Sequence, residues 1–247
     1  MKGCGTIYLV PDPENVGVSA FLRSYLRPGM VVVDVGANVG DLTGVAAECV
    51  GPSGRVVAFE ASPENARGLR DRFHATPHVD VRHAAATDAA GTLELHLDAR
   101  SSKRHSLYRS IVSVPGESII VPAVKLDDLR GEVSRVDLIK IDAQGAEGRI
   151  LSGARALLGR DHPVVLFELW PAGMVAAGTP PADLFSFLDA FGYRCVRLSV
   201  KGRQKSRPSI DTFLAQPSRW ASTNVIAWPP VRRPTLLQRV RRRLLGR

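Results

Sequence analysis

The chain has 247 residues and a formal net charge of +9, and its hydrophobic and charged contents of 45% and 23% are typical of one globular domain with a full core. No apolar run is long enough to span a bilayer, residues 1–5 lack the apolar core of a signal peptide, and the three cysteines lack the spacing of a metal or redox site. Composition therefore disfavours the membrane-spanning, secreted and cysteine-metal classes and predicts a cytoplasmic protein.

Residues 1–29 are predicted to form an N-terminal segment with one covering helix. Its apolar residues recur at helical spacing until Pro28 and Gly29, and they are Val18, Phe21, Leu22, Tyr25 and Leu26. We expect this helix to cover either the ligand site or one face of a sheet. Residues 30–230 are predicted to form the main domain.

The main domain begins with a predicted strand–helix–strand unit. Residues 31–35 are a short β-branched run that is typical of a buried strand, and residues 42–49 carry apolar side chains at helical spacing. After a turn rich in glycine and proline, residues 55–60 form a second buried strand that ends in an acid. This order is half of a nucleotide-binding βαβ unit.

The glycine-containing turn after the first strand predicts the ligand. Gly36 and Gly40 allow close approach to the backbone, and Glu60 follows 20 residues later, where an acid accepts the hydroxyls of a ribose. The dinucleotide fingerprint requires glycine where this chain has Asn38 and Asp41, so adenosylmethionine fits better than NAD. A nicotinamide dehydrogenase and a plain turn followed by a chance acid are the alternatives.

The middle of the chain alternates between regular elements and polar loops. The expected elements are one helix and three strands, at residues 62–73, 79–81, 91–97 and 119–124. A polar irregular loop is predicted at residues 98–118, and a loop of this length is functional or disordered. The small residues of 83–88 would leave a slot for a flat adenine ring, with Asp88 near its amino group.

Two charged residues interrupt the next predicted strand, at residues 136–142. Lys140 and Asp142 are costly to bury unless they are paired. Because ligands of open α/β sheets bind at the carboxyl ends of strands, Asp142 is a candidate catalytic base. A structural pair between Lys140 and an acid, or a helix cap by Asp142, is the alternative.

The remaining segments continue the alternation. They are a helix at 150–158, a strand at 163–168, a loop at 170–174, a helix at 181–191, a strand at 195–198, a basic loop at 201–211 and a strand at 224–228. Alternating strands and helices predict a doubly wound α/β sheet.

Residues 231–247 are predicted to be a separate basic tail. They contain seven arginines and no acid, so they account for seven of the nine net positive charges. Five apolar residues share one helical face, namely Leu236, Leu237, Val240, Leu244 and Leu245. This pattern is typical of a basic amphipathic helix that contacts an anionic membrane or an acidic partner, and a solvated unstructured end is the alternative.

These motifs resemble the FkbM family of adenosylmethionine-dependent methyltransferases. The matching stretches appear in family order, at residues 34–40, 59–65, 88–91, 126–129, 140–147 and 192–193. The resemblance implies a class I methyltransferase (Rossmann-like) fold, with a seven-stranded sheet whose last strand is antiparallel. It also implies O-methylation of a hydroxyl on a sugar or secondary metabolite. The chain departs from the family at Ala61, where proline is usual, and at Gln144, where many members have glutamate.

The resemblance also implies roles for individual residues. The methionine end of the cofactor would be held by Asp34, Gly36, Ala37, Asn38 and Gly40. The ribose and adenine would be held by Glu60, Ala61, Ala85, Thr87 and Asp88. Because Gln144 cannot accept a proton, the expected base is Asp142, with His105 second. Use of a divalent metal by these acids stays open.

Two further interpretations are open. The arginine-rich tail suggests an RNA methyltransferase, but no stacking aromatic residues accompany it, so nucleic acid is not the expected partner. A non-catalytic binding protein on the same fold is disfavoured by the intact Gly36, Gly40, Glu60 and Asp142. A small molecule with a hydroxyl group is the expected substrate.

Overall fold

The computed structural model describes residues 15–101, 105–112, 114–199, 204–205, 208–215 and 222–230. The predicted basic tail and the first 14 residues lie outside these ranges. The strands are β1 (Val31–Val35), β2 (Arg55–Glu60), β3 (Val79–His83), β4 (Ala85–Ala86), β5 (Gly91–Asp98), β6 (Pro115–Val124), β7 (Leu138–Ile141), β8 (Val164–Leu169), β9 (Arg194–Leu198), β10 (Gln204–Lys205) and β11 (Thr223–Trp228). The helices are α1 (Val16–Tyr25), α2 (Asp41–Val50), α3 (Pro63–Phe73), α4 (Glu147–Ser152), α5 (Arg155–Asp161), α6 (Pro171–Ala176), α7 (Pro181–Ala190) and α8 (Pro208–Leu214), and residues 126–131 form a 3₁₀ helix.

The main sheet has the strand order β10-β9-β11-β8-β7-β1-β2-β3. Strands β1, β2, β3, β7 and β8 are parallel, whereas β11 runs antiparallel to both β8 and β9. The predicted seven-stranded α/β sheet with an antiparallel last strand is therefore confirmed, and the two-residue β10 extends its edge. Strand order reverses between β1 and β7, which is where ligands bind in such sheets.

Both faces of the sheet are covered because adjacent residues of a strand point to opposite sides. Val32 packs with α1 and α2 on one face, and Val33 packs with α4, α5 and α7 on the other. On the first face, the ring of Phe21 lies 6.0 Å from that of Trp228. The N-terminal helix therefore covers one face of the sheet, which is one of the two predicted positions.

A second sheet of three strands, in the order β4-β6-β5, lies beside the main one. The sequence predicted loops at residues 83–88 and 98–118, but Ala85 and Ala86 pair with β6, which begins at Pro115. β6 forms a strand because it pairs with β5 over most of its length. Such cross-strand contacts override the low strand propensity of the proline and glycine at its start.

Three other predictions differ from the structure. The helix expected at 150–158 is two helices broken near Gly153, where an added Cβ would lie 2.0 Å from the carbonyl oxygen of Thr87. The loop expected at 170–174 is α6, which begins with proline, a favourable first helical residue. The basic loop expected at 201–211 contains β10 and the start of α8, whose buried Ile210 and Phe213 join the core.

Candidate active site

A cleft opens at the carboxyl ends of β1, β2, β7 and β8. Its empty space, counted together with the solvent at its mouth, is about 1130 Å³. Residues of the β1 turn, the end of β2, β4, the β7 turn, the end of β8 and the segment before β6 line it. Asn15, just before α1, also reaches the cleft. The predicted site residues at its wall are Gly36, Ala37, Asn38, Glu60, Ala61, Ala85, His105 and Asp142.

The turn after β1 has the tight geometry that its glycines predicted. Gly36 has a φ of +73°, and an added Cβ would lie 1.9 Å from the carbonyl oxygen of Asp142, so only glycine fits there. Asn38 has a φ of +51°, which asparagine tolerates better than most residues. Gly40 lies outside the wall: its added Cβ would meet Leu69 at 2.6 Å, so this glycine permits close packing of α3.

Glu60 braces this turn from the end of β2. Its Oε2 accepts a hydrogen bond from the Asn38 amide, and its Oε1 accepts one from the Ser62 amide, both at 2.8 Å. Burial raises the pKa of Glu60, while these two amides, the Asn65 side chain and Lys140 act in the opposite direction. A carboxylate has about four acceptor positions, so Glu60 keeps acceptor capacity for a ribose hydroxyl beyond these partners. The residues present therefore fit the ribose of adenosylmethionine.

Asp34 does not line the cleft but forms a buried ion pair beneath it. Its Oδ1 lies 3.0 Å from Lys140 Nζ, and its Oδ2 accepts a hydrogen bond from Thr43 at 2.6 Å. Lys140 also donates to the carbonyl oxygen of Gly36 at 3.0 Å. Burial opposes the charge of Lys140, but Asp34 and Asp142 outweigh it and raise the pKa of Lys140. The structural pair considered as an alternative is thus present, and Asp34 acts on the turn through Lys140.

The expected adenine contacts are only partly at the cleft. Ala85 lines it together with Ala84 and Ala86, which form an apolar wall. Thr87 is buried elsewhere, and Asp88 pairs with Arg149 at 2.8 Å on the outer side. Of the three residues expected to flank adenine, only Ala85 therefore lies at the cleft wall.

Two carboxylates and an amide meet where β7 and β8 end. Gln144 Nε2 donates to Asp142 Oδ1 at 3.3 Å and to Glu168 Oε2 at 3.4 Å. Burial and the negative charge of Asp142 raise the pKa of Glu168 well above its usual range. Sequence reasoning placed Glu168 at the end of a strand but did not assign it to the site. Its place at the end of the next strand along the chain after the one bearing Asp142 was the available signal.

Glu147 holds the turn that carries these groups. Its Oε1 accepts hydrogen bonds from the amides of Ala143 and Gly145, at 3.1 and 3.3 Å. Its Oε2 has no hydrogen-bond partner among the described residues. Burial raises the pKa of Glu147 to about 7, against the effect of the amides. The turn places Gln144 at a φ of +49°, so its conformation depends on this bracing.

His105 lines the cleft from the segment between β5 and β6, together with Ser106 and Leu107. Its Nδ1 accepts a hydrogen bond from the Asp98 amide at 2.9 Å. Across the part of the chain that the structure describes, no three His, Cys, Asp or Glu residues are grouped to hold a metal, and no helix is long and apolar enough to cross a membrane.

Comparison with known proteins identifies similar sequences and folds. The family model of the methyltransferase FkbM domain matches residues 34–195, which include every lining residue except Asn15. A protein-L-isoaspartate O-methyltransferase from Triticum aestivum is 40% identical over 110 residues, 44% of this chain and 45% of that protein. The 31-O-demethyl-FK506 methyltransferase FkbM from Streptomyces tacrolimicus is 30% identical over 160 residues, 52% of this chain and 60% of that protein.

The matches to these relatives thus span less than two thirds of their length. The crystal structure of methyltransferase FkbM from Methylobacillus flagellatus KT superimposes with a TM-score of 0.54 at 17% identity, over 88% of this chain and 50% of that one. This likeness shows the fold, which is that of class I methyltransferases.

Proposed function

The chain belongs to the FkbM family of adenosylmethionine-dependent methyltransferases, and on this premise we propose that it methylates a hydroxyl oxygen of a small molecule such as a sugar or secondary metabolite. The observation that carries the proposal is the carboxylate of Asp142 at the cleft wall. Its backbone carbonyl is packed against Gly36, so the acid lies next to the cofactor turn. A hydroxyl oxygen must lose a proton as it is methylated, and this acid can accept one.

The cofactor would be held by Glu60 at its ribose and by the backbone of Gly36 and Asn38 at its methionine end. When bound, adenosylmethionine supplies an electrophilic methyl group on a sulfonium. The chain then has to align the acceptor, and alignment of this kind can supply about 7–11 kcal/mol of the barrier reduction. A positioned base adds on the order of 10²–10⁴-fold in rate.

The surroundings of Asp142 keep its carboxylate in place. Gln144 bridges it to Glu168, and the raised pKa of Glu168 favours the protonated form of that second acid. Asp142 can then take up the proton of the acceptor. The protonated Glu168 carries no negative charge, so the repulsion between the two acids is small. Lys140 supplies the nearby positive charge that offsets the acids around the turn.

The proposal is tested with the purified chain, tritiated adenosylmethionine and small-molecule extracts. We expect label in compounds that survive both alkali and nuclease, as a methyl ether does, and mass spectrometry with fragmentation should place the methyl group on oxygen. Asp142→Asn should lower turnover by about 10²–10⁴-fold with little change in cofactor affinity. Asp71→Asn, on an exposed part of α3, is the matched control and should behave as wild type.

Other outcomes would overturn the proposal. Label released by alkali as methanol would indicate a methyl ester, nuclease-sensitive label would indicate RNA, and a methyl group on nitrogen would exclude O-methylation. Wild-type turnover in Asp142→Asn would reject Asp142 as the base. Loss of activity with a chelator, restored by a divalent cation, would indicate that the acids act through a metal.

A further inference from the structure

The segment that carries His105 is fixed at its base by a buried carboxylate. Asp98, at the end of β5, is 4% exposed, and its Oδ1 accepts hydrogen bonds from the amides of Arg100 and Ser101 at 2.9 and 3.1 Å. Its Oδ2 accepts one from the amide of Val114, just before β6, at 3.0 Å. One side chain thus joins the start of the segment to its end, which limits the positions that His105 can take.

A second set of hydrogen bonds connects the same segment to β5 and to the turn after β7, which carries Asp142 and Gln144. The backbone of Ser106 pairs with that of His96 at 2.8 and 3.0 Å. The buried Ser106 hydroxyl donates to the carbonyl oxygen of Gln144 at 3.2 Å and accepts from the Tyr108 amide at 3.1 Å. Because Gln144 also holds Asp142, the walls that carry His105 and Asp142 are connected to each other.

The hydrogen bond to Asp98 decides the protonation of His105. A ring nitrogen that accepts an amide hydrogen carries no proton itself, so the neutral ring has its proton on Nε2. Burial lowers the pKa of His105, and the charges of Asp98 and Glu64 oppose this only in part. The ring therefore stays neutral at neutral pH and offers an N–H donor.

We propose that His105 binds the methyl acceptor as a hydrogen-bond donor and is not its base, an inference that rests on the proposed function. Its ligand would be a second oxygen of the acceptor, while Asp142 takes the proton of the oxygen that is methylated. A donor at this position would favour acceptors that carry a second oxygen, such as diols or hydroxy-ethers. The sequence had placed His105 second among candidate bases. The bond from Asp98 changes this role, because Nδ1 is occupied and Nε2 already carries a proton.

The protonation state can be measured without knowing the acceptor. Nitrogen-15 NMR of the full chain labelled at its six histidines, with adenosylhomocysteine bound, would show the ring nitrogens directly. The His105 signals are those lost in His105→Asn. We expect Nδ1 without a proton and Nε2 with one at neutral pH. A proton on Nδ1, or a doubly protonated ring, would overturn the proposal.

Two variants separate a donor from a base. His105→Asn can still accept from the Asp98 amide but lacks the distal donor, whereas His105→Gln can place an N–H near the position of Nε2. If His105 is a donor, His105→Asn should raise the half-saturating amount of an acceptor-containing extract about two- to tenfold at unchanged turnover. His105→Gln should raise that amount less. If His105 is the base, both variants should lose about 10²–10⁴-fold in turnover, and this result would overturn the proposal.

The controls make failures distinguishable. Both variants should bind adenosylhomocysteine as wild type does, and His74→Asn, at the exposed end of α3, should leave the extract kinetics unchanged. If no extract contains an oxygen acceptor, the proposed function fails. The NMR result still decides the protonation of His105 in that case.

Discussion

Removing the charge of Lys140 should destabilise the protein strongly. Its side chain is 8% exposed and that of its partner Asp34 is 3% exposed, so solvent screens the pair little. Leaving one member of a buried pair alone costs about 3–5 kcal/mol, and Lys140→Met also removes the bond to the Gly36 carbonyl. We expect the free energy of unfolding to fall by about 4 kcal/mol or more.

Removing the charge of Asp34 instead should lower the free energy of unfolding by less. In Asp34→Asn, Lys140 keeps two other acids that raise its pKa, Asp142 and Glu60. In Lys140→Met, the carboxylate of Asp34 loses its cation and keeps the hydrogen bond from the Thr43 hydroxyl. The double variant should be destabilised by less than the sum of the single changes, because removing both charges leaves neither unpaired. The difference should be about 1–3 kcal/mol.

Urea unfolding followed by circular dichroism measures all three values. Arg70→Met, on the exposed side of α3, serves as the control and should change stability by no more than about 0.5 kcal/mol. A loss below about 1 kcal/mol in Lys140→Met, or a larger loss in Asp34→Asn than in Lys140→Met, would refute this account of the pair.

Three further predictions concern other parts of the chain. Glu60→Ala should weaken adenosylmethionine binding by about 10- to 100-fold in calorimetry, because a charged acceptor of about 1.5–3 kcal/mol is lost. Wild-type stability should fall as the pH rises from about 4.5 to about 7, since the unfolded state releases the Glu147 proton first. Glu147→Gln should make this fall smaller by roughly 3 kcal/mol, and the remainder should come from Glu168, whose pKa is also raised. Residues 231–247 should bind anionic but not neutral vesicles in sedimentation at low salt, because arginines near an anionic surface contribute about 1 kcal/mol each.

Each of these has a result that would contradict it. Unchanged cofactor affinity in a folded Glu60→Ala protein would remove the ribose assignment. A wild-type stability that rises between pH 5 and 7 in a way that Glu147→Gln abolishes would reverse the sign for Glu147. Deleting residues 231–247 should abolish vesicle binding but leave cofactor binding intact, and a full-length chain that ignores anionic vesicles would end the membrane proposal.

The sequence alone located two parts of the cleft wall, the β1 turn and the acid at the end of β2. The β1 turn and the acid at the end of β2 belong to one βαβ unit, so Gly36, Asn38 and Glu60 are positioned by local periodicity and a fixed spacing along the chain. The same logic placed Asp142 at the end of a strand. These features depend on short-range backbone geometry, which the residue pattern specifies directly.

The tertiary structure decided which side chains meet from distant parts of the chain. Only the sheet order places Glu168 beside Asp142, and only the buried pair with Lys140 shows that Asp34 lies beneath the cleft rather than in it. The role of His105 depends in the same way on the fold of its segment, which brings its Nδ1 to the Asp98 amide. Periodicity reports the face of an element and not its neighbours, so contacts between elements, and the protonation states they impose, required the packed structure.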